Sequence, residues 1–112
     1  MRLNHKEGAA AEDAALAFLQ GQGCKLVARN WHCPFGEIDL IVKNGNTILF
    51  VEVKYRKSSR FGGAAGSITP AKLAKLQRSA EHYLQQHRLN HAPCRLDAVL
   101  IEGGHKPEWV QN

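Results

Sequence analysis

The chain has 112 residues, a length that fits one domain, and 44% of them are hydrophobic, which is enough for one core. Fifteen Lys and Arg against ten Asp and Glu give a formal net charge of +5, which favours polyanionic partners. No apolar run approaches the roughly 20 residues of a membrane-spanning helix, and none near Met1 is typical of a signal peptide. We therefore expect a single cytoplasmic domain, residues 1–112, without membrane association.

The first element predicted from the N-terminus is a helix over residues 6–20, which is rich in Ala, Leu and Glu and is closed by Gly21. Leu16 and Leu19 mark its inward face, and helical spacing places Glu12 on the same face. A carboxylate is therefore expected to point from this helix toward the core.

Three strands are predicted next. Residues 25–32 form the first strand, and a loop containing Pro34 and Gly36 follows. Residues 37–42 and 47–56 are rich in Ile, Val and Leu and flank a dipeptide, Asn44-Gly45, that favours a tight hairpin turn. These two segments are therefore expected to be antiparallel neighbours.

The hairpin register follows if Asn44 and Gly45 are its two central turn residues. One face is then wholly apolar, with Val42 facing Thr47, Leu40 facing Leu49 and Ile38 facing Val51. The other face pairs Asp39 with Phe50 and Glu37 with Glu52, and Lys54 follows Glu52 on the same side. The charged residues of the hairpin body are therefore expected on one face, at one end.

The second half of the chain predicts a helix and a strand after a glycine-rich loop over residues 58–67. Thr69 as N-cap and Pro70 at the first position open a helix to about residue 87. Its expected buried stripe is Leu73, Leu76, Ala80, Tyr83 and Leu84. Residues 95–101 form a last strand, and the tail after them shows little pattern. The order α-β-β-β-α-β predicts an α/β domain with a mixed β-sheet flanked by helices, the last strand joining by a helical crossover.

Asp39 and Glu52 are the candidate ligands of a divalent cation. Same-side and diagonal neighbours in a sheet lie about 6.5–8 Å apart, so the two carboxylates can lean toward one ion. Lys54 would stand beside the scissile phosphate and stabilise the charge that develops there. Glu37 opposite Glu52, and the inward Glu12, add negative charge that a cation would offset. The alternative is a solvated Glu-x-Lys pair on an exposed face.

Several segments resemble the bacterial YraN family, an uncharacterised protein family placed in the PD-(D/E)XK nuclease superfamily. The matching residues cover nearly the whole chain: Gly8, Ala11-Glu12, Arg29-Asn30, Gly36 to Ile41, Phe50 to Arg56, Gly66, Thr69, Lys72, Ala80 to Leu84 and Arg95 to Asp97. The resemblance implies a restriction-endonuclease-like fold, similar to that of archaeal Holliday-junction resolvases.

The resemblance also implies roles for particular residues. Asp39, Glu52 and Lys54 would be catalytic, and Glu12 would correspond to the helix glutamate of the resolvase-like branch. The main-chain carbonyl of Val53 would join Asp39 and Glu52 as a ligand of Mg²⁺ or Mn²⁺. Ile38 stands where the superfamily often has Pro, a frequent variation that leaves the carboxylate ligand intact.

The expected function is metal-dependent hydrolysis of DNA phosphodiesters, with branched or repair intermediates as candidate substrates. The alternatives are a non-catalytic nucleic-acid-binding module on the same fold, because a fold does not establish an activity, and a protein-interaction adaptor. The sequence does not decide between a monomer and a homodimer. The residues expected to contact phosphates lie at the end of the third strand and after it, or along the second helix. They are Arg56, Lys57, Arg60, Lys72, Lys75 and Arg78. For the helix residues the alternative is a solvated charged face.

Three cysteines, Cys24, Cys33 and Cys94, cannot all pair within one chain, and none has a C-x-x-C spacing. His32 beside Cys33 raises the alternative of zinc, but a tetrahedral site needs four ligands and the sequence offers no second close pair. Free thiols in a reducing compartment are therefore expected.

Overall fold

The computed structural model describes residues 5–56, 69–103 and 105–111, with the backbone alone for residues 5–7 and Arg56. Its elements, in chain order, are α1 (His5–Gly21), β1 (Lys25–Cys33), β2 (Gly36–Asn44), β3 (Thr47–Arg56), α2 (Pro70–Gln86), β4 (Cys94–Glu102) and β5 (Glu108–Val110). The glycine-rich loop expected over residues 58–67 lies outside the described residues. Neither described helix is long and apolar enough to cross a membrane.

The strands form one mixed sheet in the order β1-β2-β3-β4-β5. β1, β2 and β3 are antiparallel neighbours, β4 is parallel to β3, and β5 is antiparallel to β4. A parallel neighbour needs a crossover connection, and α2 lies in that connection. The expected α/β fold with the order α-β-β-β-α-β is confirmed. β5 is an addition, since a strand of three residues is too short to show a period of two in the sequence.

A helix covers each face of the sheet. α1 packs against one face through three small or apolar residues, Ala11, Ala15 and Leu19. α2 packs against the other face through Leu76, Ala80, Tyr83 and Leu84, while Leu73, expected in the same stripe, is exposed. Both faces of β2 and β3 are therefore core, which explains why their sequences are nearly continuous apolar runs rather than alternating ones.

The β2–β3 turn differs from the expected one. Asn44 pairs with Thr47, so the two central turn residues are Gly45 and Asn46. Gly45 has a φ of 63°, and a positive φ at the first central position is where a type II′ turn takes glycine. The register is shifted by two residues from the expected one, so that Leu40 faces Val51.

A shift of two residues keeps each side chain on its face, whereas a shift of one would exchange the faces. The expected opposition of Glu37 to Glu52, and of Asp39 to Phe50, is wrong, because the observed register, continued beyond Leu40, brings Asp39 level with Glu52. The expected wholly apolar face is wrong as well: Ile38 packs in the α2 core instead of beside Leu40, which packs in the α1 core. The alternation of β2 therefore breaks at Asp39.

Candidate active site

Asp39 lies where the pairing of β2 with β3 ends. Its Oδ2 accepts a hydrogen bond of 2.8 Å from the backbone N–H of Val53. Burial first and the charge of Glu52 second raise the pKa of Asp39 to about 7, although the hydrogen bond from Val53 lowers it. This carboxyl group is therefore held in a site where its negative charge is poorly compensated.

Glu52 and Lys54 occupy alternate positions on β3, on either side of Val53. Lys54 Nζ lies 3.5 Å from Glu52 Oε1, and the two side chains are only 17% and 22% exposed, respectively. In a strand the N–H and C=O groups of one residue are directed to the same side, so the carbonyl of Val53 is directed to the β2 side, as its N–H is. Three consecutive residues of β3 thus converge with Asp39.

Glu12 lies on α1 with an 18% exposed side chain, on the side of the helix that the spacing predicts. Its charge adds to the rise in the pKa of Asp39, so it acts on the same site. Arg29 Nε donates to Glu12 Oε1 at 3.3 Å, and Arg29 Nη1 lies 2.7 Å from the exposed carboxylate of Asp13. The sequence gives no role to Arg29, although Arg29 and Asn30 carry part of the family resemblance.

Glu37 takes a different place from the one expected. It pairs with His32 on β1, and its Oε2 lies 3.8 Å from His32 Nδ1. Its charge contributes to the rise in the pKa of Asp39, but less than burial and Glu52 do. Glu37 therefore lies at the outer margin of the site rather than against Glu52.

A divalent cation fits this donor set. Within the described ranges, no group of three His, Cys, Asp or Glu side chains is arranged to hold a metal ion. Mg²⁺ does not require such a group, because it is commonly bound by one or two carboxylates, retained waters and substrate phosphate. A cation between Asp39 and Glu52 would offset the charge that burial leaves uncompensated at Asp39.

The cations expected to contact phosphate are only partly described. Lys72, Lys75 and Arg78 lie on α2 with exposed side chains, and Lys72 lines a cavity of about 190 Å³ together with Glu52. Arg56 ends β3, with its backbone alone described. Lys57 and Arg60 lie outside the described residues. Of these three cations on α2, Lys72 is the one that lines a cavity together with Glu52.

A buried polar cluster beside the site was not predicted. Asp97 on β4 is 2% exposed and accepts hydrogen bonds from Arg95 Nε at 3.0 Å and Arg95 Nη2 at 2.9 Å. Trp109 Nε1 donates to Asp97 Oδ2 at 2.9 Å. The bond from Trp109 fastens β5 to β4, while the bonds from Arg95 lie within β4. The sequence shows the segment from Arg95 to Asp97 only as part of a resemblance, because its partner Trp109 lies in a tail without pattern.

Comparisons with known proteins agree on one family and one fold. The sequence model of the Uncharacterised protein family UPF0102 matches residues 11–101. A UPF0102 protein of Neisseria gonorrhoeae (strain NCCP11945) is 76% identical over 112 residues, which are 100% of this chain and 97% of that protein. A UPF0102 protein of Nitrosomonas eutropha is 50% identical over 112 residues, with coverages of 100% and 96%.

A solved structure has the same fold. It is that of Hjc, a Holliday junction resolvase from Archaeoglobus fulgidus, and it superposes with a TM-score of 0.62 at 22% sequence identity. The superposition covers 89% of this chain and 72% of the resolvase. At this identity the similarity establishes the architecture, while an activity has to be argued from the site.

Proposed function

The chain belongs to the UPF0102 family, and from that premise we propose that it is a metal-dependent nuclease that hydrolyses DNA phosphodiesters. The observation that carries the proposal is the convergence of Asp39, whose pKa is raised to about 7, with Glu52 and Lys54 on β3. A stable protein gains nothing from burying a carboxyl beside a second carboxylate, whereas a cation site requires that arrangement.

In the proposed site Asp39, Glu52 and the main-chain carbonyl of Val53 hold Mg²⁺ or Mn²⁺, which when bound supplies positive charge at the phosphate and a more acidic water. Lys54, placed 3.5 Å from Glu52, directs its ammonium at the phosphate oxygen on which charge develops. Glu12, oriented by Arg29, serves as an auxiliary acid/base group. Attack of water at phosphorus breaks one P–O bond and leaves a phosphate monoester and a free hydroxyl group.

The exposed cations, the fold and the cysteines support a class of substrate and a compartment for this activity. Exposed cations on α2, Lys75 and Arg78 among them, would contact the phosphate backbone on either side of the cleaved bond. The shared fold with a resolvase extends the proposal to branched or repair intermediates, on which a homodimer would present two sites. The three free cysteines favour the reducing cytoplasm as the compartment.

A non-catalytic DNA-binding module is the second candidate. It is favoured by the ion pairs that Glu52 and Glu12 make with Lys54 and Arg29, which neutralise these carboxylates without a metal. It is disfavoured by Asp39, since a poorly compensated carboxylate repels phosphate and weakens DNA binding.

Cleavage of linear, nicked and four-way DNA, with Mg²⁺, Mn²⁺ or a chelator, tests the proposal. We expect cleavage by the native chain with metal, none by Asp39→Asn or Glu52→Gln, and roughly a 100-fold loss with Lys54→Ala. DNA affinity of the carboxylate variants should stay equal or rise slightly, because less negative charge then faces the phosphates. Glu81→Gln, an exposed carboxylate on α2, is the matched control and should cleave normally.

Two results would overturn the assignment in different ways. If the native chain binds DNA but cleaves no DNA structure with any divalent ion, the binding module is correct. If Asp39→Asn and Glu52→Gln both retain full cleavage, the chemistry lies at other residues.

A further inference from the structure

An aromatic patch lies at the turn between β1 and β2 and is defined here as Trp31 of β1, Phe35 of the turn and His82 of α2. Phe35 is 46% exposed, and its ring centroid lies 5.6 Å from that of His82 on α2. The His82 ring lies 6.0 Å from Trp31, which makes an edge contact of 5.2 Å with the buried ring of Tyr83. The patch is therefore anchored in the core at one side and open to solvent at Phe35.

Gly36 fixes the position of this turn. Its φ of 150° disfavours any other residue, and a Cβ there would lie 3.4 Å from Oγ of the buried Ser79 on α2. The backbone at the first residue of β2 thus packs against α2. Phe35 is consequently attached directly to a residue that packs on α2.

The patch lies at the same end of β2 as the candidate active site. Phe35 precedes Asp39 by four residues, or about 13 Å at 3.3 Å per residue along a strand. That distance corresponds to about four nucleotide steps of 3.4 Å in a helical strand, and to fewer in an extended one. A strand whose phosphate is held at Asp39 therefore brings a base a few nucleotides away to Phe35.

α2 connects the two places. Near its start, Lys72 and Leu73 line the cavity that also contains Glu52, and further along His82 contacts the β1–β2 turn. Lys75 and Arg78 are exposed between these points, three and four residues apart from one another and from His82, which places them on one side of the helix. A row of cations thus runs from the cavity to the aromatic patch.

This combination fits nucleic acid with unpaired nucleotides better than other partners. Phosphates meet cations, whereas an exposed ring gains contact with a base only when that base is out of the duplex stack. A protein partner would need a larger apolar centre depleted of charge, but this patch contains a histidine and adjoins the basic row.

We propose that Phe35, supported by Trp31 and His82, stacks an unpaired base of the DNA strand whose backbone lies along α2 toward Asp39 and Glu52. The substrate class is DNA with an unpaired segment, such as a single-stranded tail or flap, and fully paired duplex is bound less tightly. This inference rests on the proposed nuclease function for the direction of the strand, but base stacking requires no catalysis.

The test measures binding in a chelator, so that no cleavage takes place. The probes are a flapped DNA with the fluorescent base 2-aminopurine in the unpaired segment and a duplex with the same base paired. Phe35→Ala should weaken flap binding roughly 5- to 100-fold and remove the fluorescence quenching caused by stacking, with duplex affinity unchanged. Phe35→Trp should restore both signals.

Val27→Ala is the matched control, because Val27 is 47% exposed on β1 but lies near its beginning, away from the patch. It should change neither affinity. The proposal is overturned if Phe35→Ala affects flap and duplex equally or not at all, or if Val27→Ala has the same effect. The proposal is also overturned if the native chain forms a dimer that Phe35→Ala dissociates, because the patch would then be an interface between two copies. Loss of flap binding in a chain that never cleaves would leave this inference intact and remove the proposed function.

Discussion

At the scale of single residues, the proton of Asp39 is subject to opposing effects. Burial and the charge of Glu52 favour the protonated form, the Val53 hydrogen bond favours the ionised form, and the pKa is raised from 3.8 to about 7. A folded-state pKa above the unfolded one means that Asp39 contributes stability at pH values below about 4. This contribution is lost as the pH rises through about 7.

The pH dependence of unfolding should therefore distinguish Asp39→Asn from the native chain. In a chelator the native chain should lose stability relative to this variant between about pH 4 and 8, by about 1.4 kcal/mol for each unit of pKa difference. Mg²⁺ or Mn²⁺ at pH 8 should raise the melting temperature of the native chain, because binding to the folded state stabilises it, but not that of the variant. If the stabilities of the two proteins change in parallel with pH, and metal stabilises neither, then Asp39 does not have a raised pKa and does not bind a cation.

Residue types, the hairpin pattern and the family resemblance singled out Asp39, Glu52 and Lys54 in the sequence, and their catalytic role stays a prediction. These signals were not enough to find Arg29, because its pairing with Glu12 joins residues 17 apart and depends on how α1 packs across β1. The same limit applies to Asp97, whose partner Trp109 lies on a strand that the sequence does not reveal. The contacts of Arg29 and of Trp109 depend on how elements distant in the sequence pack, and no local pattern shows them.

At the scale of elements, α2 contains two hydroxyl groups in opposite situations. Thr69 Oγ1 accepts a hydrogen bond from the Lys72 amide and caps the helix. Ser79 Oγ is fully buried and has no hydrogen-bond partner within the described part of the chain. One hydroxyl therefore satisfies the helix end, and the other is desolvated without compensation.

Replacement by Ala should lower stability at Thr69 but not at Ser79. Thr69→Ala should lower the free energy of unfolding by about 0.5–2 kcal/mol through loss of the cap. Ser79→Ala should leave it unchanged or raise it by up to about 1 kcal/mol, because the buried desolvated group is removed. Denaturant unfolding of the two variants measures both effects, and a large loss of stability with Ser79→Ala would reveal a hydrogen bond to that hydroxyl.

The hairpin illustrates which part of an element the sequence specifies. The segment Asn44-Gly45-Asn46 allows glycine to be the second central residue of one turn type or the first of another. Local chemistry therefore predicts the turn and the parity of the faces but does not decide between registers two residues apart. The choice is made by packing, in which Leu40 with Val51 and Ile41 with Phe50 fill the two cores.

At the scale of the whole molecule, the order of elements was sufficient for the fold class. A helix between two strands favours a crossover connection, and β4 is parallel to β3 with α2 packed on one face. The net charge of +5 was also informative, but its sum does not locate a surface. The distribution of the cations over α2 and the hairpin is what locates a basic surface.

The salt dependence of DNA binding should distinguish the cations on α2 from Lys43 on the hairpin. Replacing Lys75 or Arg78 by Gln should weaken DNA binding for all sequences and lower the slope of log affinity against log salt by about one unit per lost phosphate contact. Lys43→Gln is the matched control, since Lys43 is exposed at the far end of the hairpin and should leave the slope unchanged. Equal slopes for all three variants, measured by fluorescence anisotropy, would mean that α2 is not the phosphate-contacting surface.

The two outer strands of the sheet limit how copies of this chain can associate. β5, pinned by Asp97, offers a ladder of only three residues. β1 is longer, but a register irregularity between Leu26 and Ala28 and the left-handed backbone of Asn30, with φ of 54°, interrupt its outer edge. Edges of this kind resist strand-to-strand joining of sheets and the aggregation that follows from it. If two copies assemble on one DNA molecule, they will meet through helices and side chains, not by continuing the sheet.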